Sequence, residues 1–219
     1  MARTHVGLIP DDVTRPVTVT DDQRRITAMA ASLLLDYPGG DLAEKLAAVD
    51  THLDQLPPAI AAEFAAFTDA ARGLGLRGME EHYVDTFDQR RRCSLFLSYY
   101  SVGDTRQRGT AILAFRQALA QLGFEERREE LPDHLCVVLE AVALSEGNQH
   151  AQTVEVLRAA LSGIGSPFAH LVVAVAMALP EIDAETTHNY LDLIRSGPPA
   201  ELVGIGTPLP FPTAQPDIT

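Results

Sequence analysis

The chain has 219 residues, 46% of them hydrophobic and 21% charged, which is enough for one sizeable core. Aromatic residues make up only 6%, Trp is absent and Ala occurs 30 times, so closely packed helices are the easiest core to build and an all-β sandwich is excluded. The formal net charge of −13 excludes a general nucleic-acid binder, which needs a basic surface for counterion release, and suits a basic partner.

Proline placement divides the chain. Pro10 and Pro16 lie in a polar leader, residues 1–19, and six prolines crowd a Pro/Gly-rich tail, residues 196–219. The stretch between, residues 20–195, is expected to be a single compact all-α domain of about nine helices. Thr20 with Gln23 resembles a capping box, and Ile26, Met29, Leu33 and Leu34 share a face until Pro38-Gly39-Gly40. Asp41 with Glu44 repeats the signal before the stripe Leu42, Leu46, Val49, Leu53 and Leu56. Pro57-Pro58 leads into a third stripe, Ile60 to Leu74, and these two helices are expected to pack as a hairpin.

A fourth helix is expected to carry Met79, Tyr83 and Phe87 and to run through Arg90-Arg91-Arg92 to Tyr100. Asp104 and Gln107 cap a fifth, which ends at Gly123; Pro132 opens a sixth, with Leu135, Val138, Leu139 and Val142 inward. Val154, Leu157 and Leu161 mark a seventh. Ser166-Pro167 starts a central, nearly all-apolar eighth, and Tyr190, Leu191 and Ile194 mark a ninth.

Chemistry is sparse. Seven scattered His residues and two Cys, Cys93 and Cys136, provide no ligand spacing, so no metal, no cofactor and no catalytic residue are expected. The same thiol usage suits a reducing, cytoplasmic setting. No apolar run approaches the roughly 20 residues of a membrane span. Arg24-Arg25 precedes an amphipathic stretch containing Ser32 that stops at Asp36-Tyr37-Pro38, which does not suit an export signal.

Two segments hold more polar residues than packing requires. In the first, from Tyr83 to Gly109, Tyr83 and Phe87 fit the core while Asp88 lies three and four residues from Arg91 and Arg92, within pairing reach. Arg106 and Arg108 follow. The second runs from Glu130 through Pro132, Asp133 and His134 to Glu140. If it is helical from Pro132, the row Asp133, Val137, Glu140 and Leu144 lies on an outward side, with the two carboxylates roughly 10 Å apart. That suits two basic groups on a bound peptide with apolar contacts between them, and a plain solvated face is the alternative. Residues 129–219 as a whole carry twelve acids against only Arg158 and Arg195, so an acidic docking face and a merely solubilising one both remain open.

Tyr83-Val84, Phe87-Asp88, Arg91, Ser94-Leu95, then Gly103-Asp104-Thr105-Arg106 with Arg108-Gly109, then Glu130-Leu131-Pro132-Asp133-His134-Leu135 with Glu140, resemble the nitrate reductase assembly chaperones, the NarJ branch of the TorD/DmsD family of redox-enzyme maturation chaperones. The stop Leu34-Leu35-Asp36-Tyr37-Pro38 also matches, and the likeness covers residues 26–145. The resemblance implies an all-helical non-enzyme, a private chaperone. Such a protein binds the catalytic subunit of a respiratory nitrate reductase, including its N-terminal twin-arginine-like peptide. It supports molybdenum cofactor insertion before membrane attachment, with transient contact to cofactor delivery proteins compatible with that role. On this reading Asp133, Val137, Glu140, Leu144, His134, Arg91, Arg106 and Arg108 contact the peptide, while Tyr83, Phe87, Asp88 and Pro132 are structural. Two other readings stay open: a helical scaffold or regulator binding another basic amphipathic segment, and a helical hydrolase using Asp133, His134 and Glu140. Adjacent Asp133 and His134 would point about 100° apart on a helix, which disfavours the hydrolase.

Overall fold

The structure is a computed structural model that describes residues 14–102, 106, 108–121, 123–124, 130–144 and 166–179. Among them are seven α-helices and no strand, so the all-α expectation holds. Thr20 starts α1 (Asp21–Leu35) with the expected capping box: Gln23 N donates to Thr20 Oγ1 (3.2 Å) and Thr20 N to Gln23 Oε1 (3.0 Å). Asp21 and Asp22 add negative charge to the positive end of the helix dipole. The second capping signal is not realised. Asp41 precedes α2 (Leu42–Asp50) without a side-chain cap bond, because its carboxylate pairs with Lys45 at 3.2 Å.

After a 3₁₀ turn (Leu53–Gln55), α3 (Pro58–Tyr83) begins with proline at its first position, where the missing N–H costs nothing. Gly75 breaks it with φ 68° and ψ 174°, a backbone conformation essentially confined to glycine. The break changes what α3 can reach. Phe67 and Tyr83 would lie about 24 Å apart along a straight helix. Yet their rings sit 5.3 and 5.7 Å from the same ring, that of Phe168. The two halves of α3 therefore fold around one aromatic anchor.

Beyond Tyr83 the sequence expectation of a continuous helix through Arg90-Arg91-Arg92 is corrected. A π turn (Val84–Asp88) and a 3₁₀ turn (Arg91–Cys93) intervene before the short α4 (Leu97–Val102). The physical reason is tertiary: Leu95 O and Leu97 N are hydrogen-bonded to Leu135 N (2.8 Å) and Asp133 O (2.9 Å), so they are lost to a helical ladder. The α5 helix (Arg108–Gln121) ends as expected at Gly123. Phe124 N donates to Leu119 O, and Gly123 N to Ala120 O, around a glycine with φ 84°.

The sixth helix, α6 (Leu135–Leu144), starts later than Pro132, and α7 (Phe168–Ala178) follows Ser166-Pro167. The α7 helix is the central element that its composition suggests: Phe168, Leu171, Val172 and Ala174 are wholly buried. It packs on both α1 and α3, while α1 packs most extensively on α6. Alanines 28, 30 and 31 of α1 are buried, and Ser32 Oγ donates to Cys136 O of α6 at 2.8 Å. Val17 N donates to Met177 O (2.8 Å) and Arg24 Nε to Ala178 O (3.3 Å), so the start of the described chain satisfies carbonyls at the end of α7. Phe64 is wholly buried. An ion pair joins Asp50 of α2 to Arg72 of α3, but the principal partner of α3 is α7 rather than α2. The expected seventh and ninth helices, the Asp104 and Gln107 cap and the Pro/Gly-rich tail lie outside the described residues.

Candidate functional site

The two polar segments singled out in the sequence meet. Phe96 and His134 form an antiparallel bridge, flanked by the two backbone bonds that Leu95 and Leu97 make to Leu135 and Asp133. This pairing turns Asp133 inward. Its side chain is 0% exposed, and Oδ2 accepts from the Ser98 hydroxyl and from Ser98 N (3.3 Å). Arg108 Nε donates to the same Ser98 Oγ at 3.4 Å, with its guanidinium 5.2 Å over the Phe96 ring. Phe96 meets the His134 ring edge to face at 5.2 Å.

The expectation of an outward row beginning at Asp133 is therefore wrong at its first member. Pro132 and Asp133 precede α6 and are buried, so Asp133 serves as an internal strut between residues 95–98 and the start of α6. Val137 and Glu140 are half-buried and Leu144 is 60% exposed, so the remaining three form the outer side of α6. Arg106 is exposed, and the side chain of Arg91 lies outside the described residues.

The strut is incompletely satisfied. Among the described residues, Asp133 Oδ1 and His134 Nδ1 are buried without a hydrogen-bond partner, and native interiors rarely leave such atoms. Burial holds the His134 pKa below its ordinary value, against the opposing pull of Glu130, Asp36 and Asp133, so the ring is neutral near pH 7.

Beside this junction lies an aromatic patch. Tyr83 is buried and Phe87 half-buried, their rings 4.7 Å apart, and both pack on Phe168. Exposed Tyr37, in the turn after α1, meets Tyr83 edge to face at 5.3 Å. Burial raises the Tyr83 pKa most, and the charges of Cys136, Asp36, Asp88 and Glu130 raise it further. Asp36 and Glu130 act on His134 as well. Three carboxylates thus lie within electrostatic reach of Tyr83 and make up its acidic rim: Asp36 from the end of α1, Asp88 from the π turn and Glu130 from the approach to α6.

Sequence reasoning missed Ser98 and Phe96 as members of the junction and Asp36 and Tyr37 as members of the rim. The two-residue spacing of Leu95 and Leu97, with half-buried Phe96 between, was the available signal for extended rather than helical backbone.

Elsewhere, His82 Nε2 lies 3.0 Å from Ser166 Oγ and 3.3 Å from Thr86 Oγ1, its ring stacked on Phe168. That cluster ties α3 to the start of α7. Among the described residues no three His, Cys, Asp or Glu side chains gather as metal ligands, and no helix is long and apolar enough to cross a membrane.

Comparison with known proteins decides the family: the family model described as "Nitrate reductase delta subunit" matches residues 53–174, more than half of the chain. The chain belongs to the nitrate reductase delta subunit family. Within this family it is similar to the probable nitrate reductase molybdenum cofactor assembly chaperone NarJ of Bacillus subtilis, at 30% identity over 56% of this chain and 67% of that protein. It is 32% identical to the nitrate reductase molybdenum cofactor assembly chaperone NarJ of Escherichia coli K12, over 54% of this chain and 51% of that protein. The nitrate reductase-like protein NarX of Mycobacterium tuberculosis is 36% identical over 66% of this chain, which spans only 23% of NarX. The delta subunit match runs from the 3₁₀ turn before α3 to α7. It includes Tyr83, Phe87 and the Asp133 junction, while α1 and its contribution to the rim, Asp36 and Tyr37, precede it.

Proposed function

We propose that this delta subunit family member is a nitrate reductase assembly chaperone, not an enzyme. It binds the reductase catalytic subunit, including a basic, twin-arginine-like N-terminal peptide, in the cytoplasm and supports molybdenum cofactor insertion before membrane attachment. The names of its NarJ relatives support the assembly role. The observation that carries the peptide reading is the aromatic cluster of Tyr37, Tyr83 and Phe87, with Asp36, Asp88 and Glu130 within electrostatic reach of Tyr83. Aromatic floors bury apolar side chains and attract cations, and carboxylates at a half-solvated edge orient a basic segment. Val137 and Leu144 on the outer side of α6, together with exposed Arg106, are proposed as further peptide contacts. Asp133 and His134 are read as structural supports of the segment rather than as a charged outer face.

The test is titration calorimetry against the N-terminal peptide of the catalytic subunit. Exposed charge contacts are each worth roughly 0.2–1 kcal/mol, so one reversal does little. The double reversal Asp88→Lys with Glu130→Lys should weaken binding about tenfold, ~1.4 kcal/mol, with the helical circular dichroism unchanged. Equal affinities for the two folded proteins would remove this rim from the site.

A further inference from the structure

The chain carries a formal charge of −13, yet residues 90–121 hold six arginines against one acid, Asp104. The fold brings two runs of these arginines together. The guanidinium of Arg108 lies 5.2 Å over the ring of Phe96. Arg90 and Arg92, both exposed, stand four to six residues before Phe96, so at most roughly 20 Å of chain separates them from that contact. From Arg108 the α5 helix runs on and packs chiefly on α4. Its inward row, Ile112, Phe115 and Leu119, is half-buried or buried. A second row, Gly109, Leu113, Arg116 and Ala120, keeps the spacing of one helix side and is exposed at every member, Leu113 to 52%. No acid occurs in α5, whereas α1, α2, α3 and α6 each carry at least one.

We propose that the outer side of α5, with Arg90 and Arg92, is a docking surface for an anionic membrane, on which the protein lies peripherally. Anionic headgroups attract clustered arginines, and an exposed leucine among them reaches the acyl boundary. Arginine suits that boundary, because its apolar stem lies along the hydrocarbon while its guanidinium stays with the phosphates. The excess negative charge of the molecule does not cancel this attraction. Charges on other faces are screened beyond about 8 Å at physiological salt, and the outer side of α5 has none of its own. The helix has 14 residues and is about 21 Å long, so it lies on a bilayer rather than crossing it. Lipid fits this row better than an acidic polypeptide does. Gly109, Leu113 and Ala120 offer nothing to a carboxylate, so three of its four members would be idle against one.

The experiment is co-sedimentation of the full chain with vesicles of phosphatidylcholine, alone or mixed with phosphatidylglycerol. Wild type should bind only the mixed, anionic vesicles and be released as salt is raised. The chain has no Trp, so Leu113→Trp places a single fluorophore on the outer row, and its emission should shift to the blue on anionic vesicles alone. Arg116→Glu changes the surface charge by two and should weaken partitioning about twentyfold. Arg77→Glu makes the same change on α3, where Arg77 is exposed beside Glu81, and should leave partitioning within about twofold of wild type. Circular dichroism qualifies each variant, and Leu113→Trp carries the test if Arg116→Glu does not fold. Absence of wild-type binding to anionic vesicles, equal losses in Arg116→Glu and Arg77→Glu, or sedimentation without a blue shift would each overturn the inference. Binding to polyglutamate in place of vesicles would also overturn it, by making the anionic partner a polypeptide.

Discussion

A carboxylate wholly removed from water needs partners on both oxygens, and Asp133 has them on one. Its neighbour His134 is in the same position, with a buried Nδ1 that finds no hydrogen-bond partner among the described residues. Burial depresses the folded-state pKa of His134, and that of His82 as well, where Asp85 opposes the shift and Arg90 reinforces it. The unfolded chain then takes up protons first as pH falls. The stability these rings lend is full above the unfolded value of about 6.5 and is lost as pH drops from there toward the folded value. The melting temperature should therefore fall between pH 7.5 and 5.5, and His134→Gln should flatten that slope; a thermal melt series in the two proteins checks it, and parallel slopes would refute it. His134 and Asp133 were legible in the sequence as a notable pair, but their orientation was not. A wheel drawn from Pro132 cannot register a hydroxyl 35 residues away, and it is Ser98 that receives Asp133 once the backbone pairing turns it inward.

At the scale of elements, the bend in α3 rests on a single residue. A Cβ at Gly75 would meet nothing within 4 Å, so Gly75→Ala costs only what a left-handed backbone costs an L side chain, about 1–3 kcal/mol. Gly73, two residues earlier, has the same open space and no positive φ, so Gly73→Ala should instead stabilise by about 0.4–1 kcal/mol. Urea unfolding of the two variants should move in opposite directions from wild type, and two shifts of the same sign would show that Gly75 does not hold the bend. The apolar stripes divided α3 at the right place, ending one run at Leu74 and starting the next at Met79. They failed after Tyr83 because the segment there is held by backbone bonds to residues 133–135, and these leave no periodic trace in an apolar count. The capping signals divide in the same way. Thr20 has nothing better to bind than its own helix, whereas Asp41 has Lys45.

Over the whole molecule, Phe168 joins the parts: the rings of Phe67, His82, Tyr83 and Phe87 all lie within 6 Å of it. Phe168→Ala should cost about 3–5 kcal/mol and loosen both halves of α3 together. Near-ultraviolet circular dichroism should lose its tyrosine signal along with the stability, and retention of that signal would mean the cluster stands without its centre. The sequence made clear that α7 is buried and that α1 is one-sided. It could not say that they touch, because an amphipathic stripe specifies that a face is covered and not by what. The pairing of α1 with α6 and α7 also sets an order in time. Leaving the ribosome, α1 is complete at Leu35, but the surfaces that cover Ala28, Ala31, Leu34 and Leu35 are not finished until Leu144 and Ala178 have been added. At about 5–20 residues per second that interval is on the order of ten seconds. Throughout it the nascent chain carries the uncovered apolar face of α1, so a protein proposed to shelter another polypeptide during assembly spends its own synthesis in need of the same protection.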